Sequence, residues 1–126
     1  MHNKSALLIS IGYTIVLTTL CLITIDFDSV DDVAPSYSDK IFHFLSYTIL
    51  TSLWYYTIKK QFKLKPIKAL VYVAVAVIIF GIMVEVLQEV FTSTRVFDVF
   101  DILSNTTGVL IAVIILLYKI KTEVKK

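Results

Sequence analysis

Four long apolar runs, with the charges held mostly between them, constrain this chain more than any other feature. They are Ala6–Ile25, Ile41–Ile58, Ile67–Val84 and Val99–Tyr118. Each approaches the ~20 residues that a helix, rising ~1.5 Å per residue, needs to cross a hydrocarbon core of ~30 Å. Charged residues make up 17% of the chain, against roughly 25% in soluble domains. The expectation is an all-α integral membrane bundle of four transmembrane helices, with spans at about 6–25, 41–58, 67–86 and 99–118. At 126 residues these spans use most of the chain, so residues 1–126 read as a single transmembrane domain.

The basic residues set the expected topology. Lys4 precedes the first run, Lys59, Lys60, Lys63, Lys65 and Lys68 cluster between the second and third, and Lys119, Lys121, Lys125 and Lys126 follow the fourth. Lysine and arginine mark the cytoplasmic side of a membrane protein. Both termini are therefore expected in the cytoplasm, in a multi-pass membrane arrangement. The two other connections carry only Lys40 and Arg95 as bases and hold most of the acids, and they face outward. Ser38 or Asp39 is a plausible N-cap for the second helix, and Pro66 suits the first turn of the third. Trp54, Tyr55, Tyr56 and Tyr118 read as interfacial aromatics.

Several function classes drop out early. The bases occur only as short clusters beside apolar segments, so a nucleic-acid partner is not expected. Cys21 is the one cysteine, which excludes an intrachain disulfide. It reads as a packed small hydrophobe, since the preceding Leu20 is not the small residue that lipoprotein attachment would want. The first apolar run is longer than a signal-peptide core and lacks an A-x-A-like site, so it reads as a retained span. No cofactor is implied.

The ionisable residues that do enter the spans converge on one level. His43 lies 16 residues outward from Lys59, Glu85 17 from Lys68 and Asp101 18 from Lys119. At ~1.5 Å per residue these are roughly 24, 26 and 27 Å from the inner boundary. Helical spacing also gathers them into stripes: Lys40, His43 and Tyr47 on the second helix, Glu85, Gln88 and Glu89 on the third, and Asp98, Asp101, Asn105 and Gly108 on the fourth. Such stripes are expected to face the protein interior or a water-filled cavity, because a charge in hydrocarbon is costly. Gly81 and Gly108 would allow close helix approach.

These groups admit two readings. In the structural one, Lys40 and Arg95 pair with Glu85, Asp98 or Asp101 and lock three helices together. In the other, they form a site for a polar headgroup, with Arg95 holding an anion and His43 with the carboxylates moving protons or ligating metal. A metal site is not expected, because one histidine with two carboxylates at unmatched spacing is no zinc signature. Ser46 and Ser104 lack a nucleophile motif. Trp54 reads as an interface anchor, and Glu89 as solvated.

The segments Asp39-Lys40-x-x-His43-x-x-x-Tyr47, Glu85-x-x-Gln88 and Arg95-x-Phe97-Asp98-x-x-Asp101-Ile102-x-x-Asn105-x-x-Gly108 together resemble the VanZ-like family of small bacterial membrane proteins. The likeness runs through about three of the four expected spans. One departure is Ala112, where a second glycine is common. The resemblance implies a membrane protein of the cell envelope, in a family named for a member linked to teicoplanin resistance, with no established reaction. It carries over Asp39, Lys40, His43, Glu85, Gln88, Arg95, Asp98, Asp101 and Asn105 as functional candidates. Three functions remain open: binding of an amphiphile or lipid-linked headgroup, a membrane enzyme using His43, Glu85 or Asp101, and a purely structural bundle. A homo-oligomer is compatible with each, and a transporter would require one.

Overall fold

A computed structural model describes residues 2–22, 35–91 and 97–124. Among these the chain is all-helical: α1 (His2–Leu22), α2 (Pro35–Phe62), α3 (Pro66–Phe91) and α4 (Val99–Val124). The helices outrun the expected spans because polar termini extend them past the apolar runs. Pro66 opens α3 as its fixed φ predicts. By the same logic α2 starts at Pro35, about a turn before the anticipated N-cap at Ser38 or Asp39. The connection between α2 and α3 shrinks to Lys63–Lys65, and Lys63 turns it with φ 51°. That left-handed conformation favours glycine and costs other L-residues roughly 1 kcal/mol. Lys63 is exposed, so Lys63→Gly is expected to raise thermal stability by up to about 1 kcal/mol, measured by melting of the detergent-solubilised protein.

Apolar side chains cover the outside of all four helices. Leu8, Ile15, Ile41, Leu45, Val75, Met83, Leu103 and Ile114 are each more than half exposed, on every helix in turn. The buried list instead mixes apolar residues with Ser10, His43, Thr51, Thr57, Glu85, Gln88, Asp101 and Asn105. A soluble domain rarely shows a continuous apolar exterior; a hydrocarbon solvent requires one. Three helices, Lys4–Leu22 within α1, α3 and α4, are long and apolar enough to cross a membrane. The expectation of four comparable apolar runs needs correction here. α2 falls short because it carries Ser46, Thr48, Thr51, Ser52 and Thr57 along with Lys40 and His43.

The packing explains why α2 differs. It contacts α1, α3 and α4, while α1 and α4 each also lean on α3. Its hydroxyls are satisfied locally or across the interface. Thr51 donates to the Tyr47 carbonyl at 2.7 Å and Ser52 to Thr48 at 3.0 Å. Thr48 donates to Phe44 at 2.8 Å and also lies 3.1 Å from the Gly108 carbonyl on α4. Ser10 on α1 shares a 2.6 Å hydrogen bond with Thr57. The low hydropathy of α2 thus reports a central position.

Trp54 and Tyr55 also depart from the role of interfacial anchors. Trp54 donates its indole N–H to Thr14 on α1 at 2.8 Å, and Tyr55 is buried. Tyr118 is exposed, as expected. Cys21 is buried in the core, as its apolar surroundings suggested.

Candidate functional site

The polar cluster forms at the end of the bundle opposite the Lys63 turn, where α2 begins, α3 ends and α4 begins. Three helices deliver it. Lys40 on α2 donates to Asp98 Oδ2 at 2.7 Å and to Asp101 Oδ1 at 2.6 Å, joining α2 to α4. One turn deeper, His43 Nδ1 meets Asn105 Oδ1 at 2.9 Å. Glu85 on α3 accepts from the Asp98 backbone N–H through Oε1 at 3.0 Å. The inward convergence expected from helical spacing is therefore realised for Lys40, His43, Glu85, Asp98, Asp101 and Asn105. Arg95 lies outside the described residues.

Asp98 does more than its place in the stripe suggested. Its Oδ1 accepts from the Phe100 N–H at 2.8 Å, and its carbonyl accepts from Asp101 N at 3.1 Å. It is thus the N-cap of α4, holding the first turn that presents Asp101. The sequence carried that signal, an aspartate just before an apolar run, but the Lys40 pairing masked the cap as a simple charge partner.

The ion pairs are unequal in exposure. The Lys40 side chain is 24% exposed and Asp98 37%, while Asp101 is 5% exposed. Burial disfavours the Lys40 ammonium, but the hydrogen bonds it donates to Asp101 and Asp98 outweigh that and hold its pKa above the usual lysine value. The same Lys40 hydrogen bond holds the Asp98 carboxyl below its ordinary range, against a smaller opposing effect of burial.

His43 is 1% exposed. Its Nε2 lies 3.6 Å from Asp39 Oδ1 and 3.7 Å from Asp101 Oδ2, too far for a hydrogen bond to either. Among the described residues, His43 Nε2, Tyr47 Oη and Glu85 Oε2 are buried without a hydrogen-bond partner. Tyr47 is fully buried below the cluster, against Phe80.

Two predicted stripe members point elsewhere. Gln88 donates to the Cys21 carbonyl at 2.8 Å and so ties α3 to the end of α1. Glu89 shares the helical neighbourhood of Glu85 and Gln88 but is exposed, as its position beyond the expected span implied.

Beside the cluster, between α2 and α4, lies a groove of about 540 Å³. Lys40, Asp98, Ser104 and Thr107 give it a polar side, and Phe44, Phe100 and Leu103 an apolar one. The groove was not legible in the sequence, although Ser104 and Thr107 sit a helical turn apart on α4. A second, almost wholly apolar groove of about 640 Å³ runs toward the Lys63 end, between Trp54, Ile58, Tyr72 and Phe80. No carboxylate, imidazole or amine lines it.

Ala112, in place of the second glycine common in VanZ-like chains, is buried at 1% exposure on the packed face of α4. A single methyl is accommodated there, so the departure concerns helix spacing and leaves the cluster untouched. No curated protein and no solved structure matches the chain. A family model described as VanZ/LLP1 matches residues 10–121, from the middle of α1 through the last turn of α4 and across every helix that builds the cluster. With that span matched and three helices apolar enough to cross a membrane, the chain is a transmembrane protein of the VanZ/LLP1 family.

Proposed function

We propose that this protein binds the headgroup region of an amphiphile, a lipid or lipid-linked molecule, at one surface of the bacterial cytoplasmic membrane. The observation that carries this reading is the two-sided groove between α2 and α4. Its volume lies within the ~300–1,000 Å³ usual for ligand pockets. Its Lys40–Asp98 side suits a polar head, and Phe44, Phe100 and Leu103 suit the first methylenes of a chain. The surrounding exterior is apolar, so such a ligand can enter sideways from the bilayer.

In this reading all four helices span, with α2 carried by its neighbours, and both termini face the cytoplasm. The lysines of the α2–α3 connection then lie inside, and the cluster, at the far end of the same helices, meets the outer leaflet.

The test uses the full chain in nanodiscs containing a photoactivatable anionic phospholipid. Labelling is expected to map to α2 and α4 near Phe44 and Phe100. Ser104→Trp fills the groove from a partly buried position and should cut labelling on the order of tenfold. Labelling that is equal in both proteins, or spread evenly around the bundle, would overturn the reading.

An enzyme acting on a lipid-linked or phosphorylated group is the second reading. It is favoured by the juxtaposition of His43, Glu85 and Asp101, acid–base groups buried beside the groove. It predicts a changed species in lipid extracts of overexpressing cells, seen by mass spectrometry.

A further inference from the structure

Among the described residues the cluster holds more carboxylates than cations. Asp39, Asp98 and Asp101 lie around Lys40, whose ammonium is already engaged by Asp98 and Asp101, and Glu85 joins them through the Asp98 backbone N–H. Glu85 and Asp101 are both nearly inaccessible, at 1% and 4% exposure. Burying excess negative charge away from water is costly unless a cation offsets it.

His43 shows where such a cation fits. Its Nδ1 contacts the side-chain oxygen of Asn105, so Nδ1 carries the proton and donates. Nε2 lies 3.6 Å from Asp39 Oδ1 and 3.7 Å from Asp101 Oδ2 and makes no hydrogen bond. In the neutral imidazole its lone pair points at two carboxylates, an unfavourable arrangement. The same spacing is favourable around a metal ion. Bonds of about 2.0–2.2 Å at tetrahedral angles separate neighbouring ligand atoms by roughly 3.3–3.6 Å. One ligand atom each from Asp39, His43 and Asp101 can be chosen so that all lie within 4.8 Å of one another.

The outer shell agrees. A metal-bound imidazole usually donates its other N–H to an oxygen, as His43 does to Asn105. Lys40 holds the far oxygen of Asp101, Oδ1, which leaves Oδ2 turned toward His43. Glu85, whose Oε2 is buried without a hydrogen-bond partner among the described residues, lies in the same cluster.

We propose that Asp39, His43 and Asp101 form a binding site for a divalent transition-metal cation of the zinc or manganese kind. One imidazole with two carboxylates suits such ions better than it suits calcium or a thiolate-bound metal. Three protein ligands leave a coordination position for an exogenous oxygen. The expectation that one histidine and two carboxylates at irregular spacing make no metal signature was drawn from sequence spacing alone. The spacing rule applies to ligands on one segment, and here α2 and α4 supply them jointly.

Where the amphiphile reading also holds, the ion would add to the positive charge that Lys40, partly neutralised by its carboxylates, offers an anionic headgroup. The cation site stands without it. The experiment therefore measures metal alone, on the full chain in nanodiscs of zwitterionic lipid, stripped with chelator and titrated calorimetrically with Zn²⁺ and with Mn²⁺. One equivalent per chain is expected. His43→Gln and Asp39→Asn, the latter at a partly exposed side chain, should each weaken binding tenfold or more, while His2→Gln changes nothing. Substituting Co²⁺ into the unmutated protein should give the visible absorption of a low-coordinate site with nitrogen ligation, which keeps the test decisive if a variant fails to fold. Absence of that spectrum, or uptake unchanged in both variants, would overturn the proposal. Lipid labelling retained after chelation would leave the groove's reading standing while the metal's role in it falls.

Discussion

Gly108→Ala is expected to destabilise the bundle more than any other single-methyl change in the chain, and Gly108→Leu to abolish folded protein. Gly108 lies on α4 where it presses against α2. A Cβ built there strikes the Phe44 backbone carbonyl oxygen and lies 3.2 Å from both the Thr48 amide nitrogen and its hydroxyl. A flexible side chain could swing aside, but a helix backbone moves only as a rod. Relief requires α2 and α4 to separate, which would stretch the Thr48–Gly108 hydrogen bond and loosen the ion pairs above it. Overpacking of a tight core costs typically about 1–3 kcal/mol, and a backbone obstacle puts this site at or above the upper end. Gly12 is the internal control, since nothing lies within 4 Å of a Cβ built there. Gly12→Ala should melt at or slightly above the parent temperature, because alanine has the higher helix propensity. Melting curves of the three proteins in detergent decide the matter: a Gly108→Ala midpoint indistinguishable from the parent would show that the helices are not in backbone contact.

Lys40→Met is expected to cost about 1–3 kcal/mol, the lower part of the range for a broken buried pair, because the lysine is a quarter exposed. The change leaves two carboxylates without their ammonium, one of them almost fully buried. Most of the loss should come from Asp101. The double variant Lys40→Met/Asp101→Asn should therefore regain part of it, with a coupling on the order of 1–2 kcal/mol in a double-mutant cycle. Strictly additive effects would show that the two side chains act independently. Because Lys40 also lines the groove, the same variant is expected to weaken anionic-lipid labelling even where the protein stays folded. Stability and labelling then separate the structural share of Lys40 from its binding share.

The candidate site was largely legible before any coordinates because helical geometry is so regular. Counting residues from the lysine boundaries placed His43, Glu85 and Asp101 at one height, and a period of 3.6 residues placed Lys40 with His43 and Asp98 with Asp101 and Asn105. The hydrogen bonds joining these helices are what that arithmetic implies. Gln88 shows where the arithmetic stops. It shares a face with Glu85, yet one turn further along α3 that face meets α1, and its amide goes to Cys21. A stripe on one helix says which side is inward without saying which neighbour is there. The hydropathy of α2 is ambiguous in the same way, since a polar helix at the centre of a bundle and a helix too polar to cross a membrane look alike in composition.

From its sequence alone it follows that the protein is helical, that its outside is apolar, and that the ionisable residues entering its spans gather at one end of the bundle. Those properties follow from segment length, hydropathy and helical period, which are local and additive along the chain. Packing between helices decided that α2 sits in the middle, that Gly108 touches the α2 backbone, and that His43 Nε2 faces Asp101. These depend on distances between residues about sixty positions apart, and such distances are set by how helices pack, which no single segment encodes.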